Sequence, residues 1–266
     1  MPIYRPKGKA GEYSPLALNI YKNCDHGCNY CYVPRFQGFA GHHTQPVIPR
    51  LDLQALEKEA PKYSDTEQVL LCFTCDPYCQ ADVLYQDTRK VLDIFRRNNI
   101  LTAILTKGGT RCLRDLDLFE SMKDRIKVGA TLTFTDAEKS RKVERTAADP
   151  SDRFQALKTL HEHGIKTWVS LEPVIELKET LNVIKETHTY VDQYKLGLTN
   201  YYKPPVPIDW SLLLELCTTL FHDYGNDYYI KKDLHPFLNS RVKYTKAHLS
   251  PETLWLKPRN RVQTLF

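Results

Sequence analysis

Cys24, Cys28 and Cys31 stand in the run C-D-H-G-C-N-Y-C, a C-x3-C-x2-C triplet that lies just beyond an apolar, strand-like stretch and is followed at once by Tyr32. Three thiolates are one ligand short of a closed tetrahedral metal site. An iron–sulfur cube held by three cysteines keeps one iron free for an outside ligand, whereas a structural zinc needs a fourth Cys or His. His26 or His42 could complete a zinc site, but zinc motifs usually show two separated ligand pairs, which the triplet lacks. A disulfide framework fits less well. Eight cysteines among 266 residues with no secretory signal point to a reducing, cytoplasmic setting.

Further candidates follow other apolar runs. Phe73-Thr74-Cys75-Asp76-Pro77-Tyr78-Cys79 closes one of them. Cys72, Cys75 and Cys79 could hold a second cluster, but Cys72 and Cys75 would face opposite sides of an extended chain. Cys72 therefore reads as a small core residue, and Cys75 and Cys79 as candidate hydrogen donors or solvent-facing thiols. Cys112 and Cys217 fall in helical patterns and read as packing residues. Leu105-Thr106-Lys107-Gly108-Gly109 sets a lysine beside glycines, where it can reach a carboxylate. Thr131 and Thr133 alternate on one face and can meet a ribose, with Glu144 and Arg145 further on. Ser170-Leu171-Glu172-Pro173 supplies a carboxylate. Lys231 and Lys232 after Tyr229 make either an anion-binding corner or a solvated strand end, and Tyr201-Tyr202 could stack on bases or fill a core.

The elements that must position these residues are legible from periodicity. Strands are predicted near Leu16–Tyr21, Val69–Thr74, Leu101–Thr106, Lys127–Thr133, Thr167–Leu171, Tyr194–Leu198 and Tyr228–Ile230. Helices are predicted at Asp87–Asn98, Ser151–His163, Leu177–His188 and Ser211–Tyr224, with a shorter one near Leu113–Met122. Ser151 is placed to cap its helix and Gly164 to end it. The loop around Phe134–Pro150 and the two termini are the expected flexible regions. Repeated βα units require right-handed crossovers and give either a curved barrel or a doubly wound sheet.

The triplet with its flanking residues resembles the radical SAM enzymes. That resemblance implies an α/β partial (βα) barrel of about six or seven parallel strands with its chemistry at the C-terminal strand ends. It implies a [4Fe-4S] cluster on Cys24, Cys28 and Cys31, whose open iron is chelated by S-adenosylmethionine. One electron then breaks a carbon–sulfur bond to give a 5'-deoxyadenosyl radical. Tyr30 matches the position that rests against the adenine. The Gly-Gly-Glu-like segment that holds the methionine amino group elsewhere is absent here, leaving Thr74 and Asp76 as candidates.

Tyr13-Ser14-Pro15, the triplet, Thr-Cys-Asp-Pro-Tyr, Leu-Thr-Lys and Glu172-Pro173-Val174-Ile175 together resemble the spore photoproduct lyase group, DNA repair photolyase-like proteins, over most of residues 13 to 200. By that match Lys107 binds the SAM carboxylate, Thr131 or Thr133 its ribose, and Glu172 belongs to the cofactor rim. The lyase branch carries its donor cysteine before Thr-Ser-Asp; here Phe73 takes that place and Cys75 replaces the serine.

The expected organisation is a basic N-terminal tail at 1–12, the barrel at 13–233 and an extension at 234–266 packed on or near it. A formal charge of +5, with Arg5, Lys7 and Lys9 at one end and Arg241, Lys243, Lys246, Lys257, Arg259 and Arg261 at the other, suits an anionic partner. No stretch has the apolar length of a membrane span. The sequence thus predicts a radical SAM enzyme acting on nucleic acid or nucleotide and drawing electrons from a reductant such as flavodoxin or ferredoxin. The alternatives are a radical SAM enzyme for a peptide or small metabolite and a non-catalytic metal-binding protein.

Overall fold

Seven apolar runs pair side by side in chain order. In the computed structural model, which describes residues 2–259, they form β1 (Leu16–Leu18), β2 (Val69–Leu71), β3 (Thr102–Thr106), β4 (Ile126–Thr131), β5 (Lys166–Leu171), β6 (Gln193–Leu196) and β7 (Asp227–Ile230). Each strand pairs in parallel with the next. Parallel neighbours need crossovers of one hand, and an order with no reversal curves the sheet toward a barrel instead of a doubly wound sheet. The α/β partial barrel expected from the sequence is the fold of this chain. The crossovers carry α1 (Leu53–Glu59), α2 (Asp82–Tyr85), α3 (Asp87–Arg97), α4 (Leu116–Ser121), α5 (Ala137–Val143), α6 (Pro150–Glu162), α7 (Leu177–Thr187) and α8 (Trp210–Tyr224).

Strand alternation divides the core. Val69, Leu71, Ile104 and Val128 pack outward with Val91, Phe95 and Leu160, while Val169, Leu171, Tyr194 and Leu196 do so with Ile184, Leu214 and Phe221. Leu70, Ala103 and Trp168 fill the inside with Tyr13 and Leu105. Gly129 pairs with Trp168, and the indole donates to the Ile104 carbonyl at 2.9 Å. A Cβ at position 129 would sit 2.4 Å from the Trp168 carbonyl oxygen and 2.5 Å from the indole nitrogen, so glycine is what lets the large ring occupy the barrel.

Several boundaries differ from expectation. The first strand stops at Leu18 because Tyr21–Lys22 pairs instead with Ile48–Pro49 in a small antiparallel ribbon. The second stops at Leu71 because the Phe73 and Thr74 N–H groups turn to the Asn19 side chain, both at 2.8 Å. Helix α6 starts at Pro150 with Asp149 before it, not with a Ser151 cap; proline suits the first helical position, where its missing donor is not needed. Gly164 does end that helix, at φ +70°. The expected Leu113–Met122 helix is split between a 3-10 turn at Gly109–Asp115 and α4.

All three regions expected to be flexible are tied down within the described residues. The 134–150 loop contains α5, whose first N–H groups are capped by Asp136, and Asn29 donates to the Val143 carbonyl at 2.8 Å. At the N-terminus Ile3 is buried with its N–H on Glu59 at 2.8 Å, and Gly8–Glu12 folds as a short helix. At the other end Thr253, Leu254, Leu256 and Arg259 cross the base of the sheet, making backbone bonds with Gln193, Lys127, Gln68 and Asp65. Arg261 lies outside the described residues. Among those residues no helix is long and apolar enough to cross a membrane.

Candidate iron–sulfur and cofactor site

A cavity of about 420 Å³ opens at the C-terminal strand ends, within the usual size range for a small-molecule site. Its wall brings together Cys24, Cys28, Cys31, Tyr30, Thr74, Cys75, Asp76, Lys107, Thr131 and Glu172. Thr133 and Cys79, singled out with them in the sequence, are not in that wall. Strand β4 has ended by Thr133, and alternation no longer carries it inward. Cys79 is fully buried against the outer core, so it does not face solvent. Cys72 is buried in the outer core, as expected, and lines the cavity as well. The expected opposite facing fails because β2 is over before Cys72. Cys112 and Cys217 are buried packing residues.

The cysteine loop is held from both sides. Cys28 bridges to Glu144 and the Thr146 N–H donates to the His26 carbonyl at 3.2 Å, fixing the loop to the segment after α5. His26 is buried with Nε2 3.1 Å from Asp76. Asp76 also accepts from the Tyr78 N–H (2.8 Å), the Thr106 hydroxyl (2.6 Å) and the Lys107 N–H (2.7 Å). Burial opposes its charge, but His26 and these donors hold its carboxyl well below the ordinary value. Asp76 thus positions three loops and has little capacity left for an amino group. The Thr74 hydroxyl, by contrast, is buried without a partner among the described residues.

Glu144 accepts from the Tyr30 hydroxyl and pairs with buried Arg153 at 2.6 Å. Lys107 extends over the Tyr30 ring, 5.6 Å from its centroid. Burial works against its ammonium, yet Cys28, Glu144 and Asp76 keep the Lys107 pKa above the ordinary value. Across the cavity Glu172 is held by Tyr13, Lys195 and Lys231, the last at 2.8 Å. Burial opposes its ionisation, but the two ammoniums bring it down to about 2. Burial, in turn, lowers Lys195 to about 7 despite Glu172. Lys231 is therefore no solvated strand end, and Glu172 is already committed within the protein. Tyr13, Arg153 and Lys195 were missed as site residues. Lys195 had a signal: an inward lysine in an apolar strand needs a buried acid.

The radical SAM superfamily model matches residues 18–191, more than half of the chain. The chain belongs to the radical SAM superfamily. It is 28% identical over 204 residues to the uncharacterized protein MJ0683 of Methanocaldococcus jannaschii, covering 75% of this chain and 74% of that one. Among solved structures it is similar to Streptococcus suis SuiB bound to S-adenosylmethionine, with TM-score 0.65 and 14% identity over 86% of this chain; it spans about half (53%) of SuiB. A spore photoproduct lyase mutant with bound AdoMet and dinucleoside spore photoproduct gives TM-score 0.65 at 13% identity, covering 82% of this chain and 76% of that one. At these identities the structures share the fold.

The cofactors of this radical SAM chain are a [4Fe-4S] cluster and S-adenosylmethionine, and its residues fit them. The triplet's thiols are all free and face one cavity. Among the described residues, the group of three or more potential ligands whose donor atoms lie within 4.8 Å of one another is Cys24, His42 and His43, not the triplet. The three sulfurs are thus spread more widely than one zinc ion, with bonds of about 2.3 Å, would hold them. Tyr30, Thr74, Lys107 and Thr131 share the wall beside them, with an orphan hydroxyl at Thr74.

Proposed function

We propose that this chain is a radical SAM enzyme that abstracts hydrogen from a nucleic acid or nucleotide. When bound, the cluster supplies an electron to S-adenosylmethionine, whose cleaved 5'-deoxyadenosyl group takes the hydrogen. The chain's own residues have distinct tasks. Cys24, Cys28 and Cys31 hold the iron; Tyr30 offers an aromatic face to the adenine; Lys107 pairs with the methionine carboxylate. The Thr74 hydroxyl takes part of the amino-group contact, and Thr131 meets the ribose. Cys75, in the same wall, is the hydrogen donor that would return a hydrogen to the substrate.

The observation that carries this reading is the shared wall: the three thiols of the triplet, the Lys107 ammonium and the Cys75 thiol converge on one cavity. The mouth supports a nucleobase. Phe36 and Tyr201 are half exposed, Tyr32 lies 5.5 Å from Phe36 and 6.4 Å from Tyr201, and the Arg35 guanidinium covers the Tyr201 ring at 5.1 Å. Aromatic faces with adjacent cations stack bases without strict sequence preference. Lys7 and Lys9 line the same opening.

The test is anaerobic reconstitution with iron and sulfide, followed by reduction in the presence of S-adenosylmethionine and short oligonucleotides. 5'-Deoxyadenosine should form, and labelled hydrogen from the oligonucleotide should appear in it. Oligonucleotide binding should weaken steeply with salt. Deoxyadenosine formation with no label transfer and salt-indifferent binding would move the substrate to peptides or small metabolites.

A further inference from the structure

The ribbon of Tyr21–Lys22 with Ile48–Pro49 closes the intervening loop on itself and returns His42 and His43 to Cys24. The return is clasped by two bonds: the Cys24 N–H donates to the His42 carbonyl at 3.1 Å, and His43 Nδ1 lies 2.9 Å from the Cys24 carbonyl oxygen. A carbonyl can only accept, so Nδ1 of His43 carries the proton and Nε2 presents its lone pair. That Nε2 is buried and has no hydrogen-bond partner among the described residues. His42 is 1% exposed, and its Nδ1 is likewise buried and unpartnered. The two rings meet edge to face, 4.7 Å apart. One ligand atom from each of Cys24, His42 and His43 comes within 4.8 Å of the others.

Two unpartnered imidazole nitrogens beside a thiol, all three residues lining the cavity described above, make the donor set of a tetrahedral zinc with one open position. The backbone bond at His43 Nδ1 is the outer contact that metal-ligating histidines commonly have. We propose that, in the cluster-free protein, Cys24, His42 and His43 bind a single zinc-type divalent ion, and that this ion and the cluster exclude one another. Binding releases the Cys24 thiol proton to solvent and forms a sulfur–metal bond, with no change of oxidation state. Exclusion follows because Cys24 cannot complete the triplet while it holds the ion; this part alone rests on the assignment of Cys24 to the cluster.

The site is tested by titrating full-length, cluster-free protein anaerobically with cobalt(II), followed by zinc. One equivalent should give tetrahedral d–d bands and a thiolate-to-cobalt transition that zinc abolishes. The spectrum should persist when Cys28 and Cys31 are both replaced by alanine. It should weaken by more than about tenfold in H42A and in H43Q, the latter keeping an amide donor for the Cys24 carbonyl. Loss of the spectrum with Cys28 and Cys31, or indifference to both histidine changes, would overturn the site; circular dichroism confirms that each variant is folded. For exclusion, iron and sulfide are counted after reconstitution with and without prior zinc. Zinc should suppress uptake in the wild type and not in H43Q. Undiminished iron uptake would overturn the exclusion. A wild type that takes up no iron even without zinc would overturn it together with the cluster reading, while the cobalt spectra, recorded without iron, decide the site separately.

Discussion

Among the described residues Lys107 makes no ion pair within 4.0 Å, although its ammonium feels Asp76 and Glu144, which are held by His26 and Arg153. A cation left without a partner beside a cofactor cavity is suited to a carboxylate brought by the ligand. Lys107→Met keeps the stem and removes the charge. S-adenosylmethionine affinity, measured by equilibrium dialysis on reconstituted protein, should fall roughly 10- to 100-fold, the range of a lost charge-assisted hydrogen bond, while iron and sulfide content stay unchanged. The cysteines separate in the same way. Cys75→Ala removes a thiol from the wall and should spare deoxyadenosine formation while abolishing return of hydrogen to the substrate, read by product analysis. Cys79→Ala hollows the outer core; it should cost about 1–3 kcal/mol in urea unfolding and leave the product distribution alone. Equal chemistry in the two variants would take the donor role from Cys75.

At the scale of elements, the strand pairing depends on Gly129 as much as on the apolar residues around it. Gly129→Ala forces a Cβ against the backbone and indole of Trp168, both at under 3 Å. Neither can yield without moving β5, so a loss of about 1–3 kcal/mol is expected, seen as a lower midpoint in thermal unfolding. All seven strands were legible because each carries apolar or β-branched residues bounded by turn residues, even where, as in Gln193–Leu196, polar residues alternate with them. Their ends were not. Asn19 captures the N–H groups of Phe73 and Thr74 across 54 and 55 positions, a contact that period-two alternation cannot foresee. Cys72 is the core residue expected, but its facing away from Cys75 and the inward placing of Thr133 both fail because the strands were extended too far. The triplet, Lys107 and Thr131 were legible because their spacing and their place after strands are local properties. The hub at Asp76 and the pairs Glu144–Arg153 and Glu172–Lys195 were not, since the first joins separate loops, the second depends on how the chain turns into α6, and the third on the register between β5 and β6.

Over the whole molecule, the reactive rim at one end of the barrel is balanced by a polar plug at the other. Lys127 points into the barrel near its base and is 1% exposed; its ammonium meets the Leu254 carbonyl and the Gln193 side-chain oxygen at 3.3 Å. Burial, and then the charge of Lys166, push its pKa well below the ordinary lysine value of 10.5. Among the described residues no carboxylate is bonded to it; neutral oxygens, the Trp168 ring 5.0 Å away and the more distant charge of Asp227 are what favour the charged form. Replacing such a group with an apolar one of similar size is often neutral or stabilising. The unfolded chain binds the Lys127 proton more tightly than the folded one. Stability therefore rises with pH through the interval between the depressed folded pKa and 10.5, and the penalty is full below that interval. Lys127→Met should be at least as stable as the wild type, with an advantage that shrinks as the pH rises toward about 10 in paired urea titrations. The carbonyl of Leu254 must then remain covered without its donor. If the variant is instead less stable at every pH, the bond to Leu254 is what holds the C-terminal segment across the base, and the plug is a clasp for the barrel rather than a tolerated buried charge.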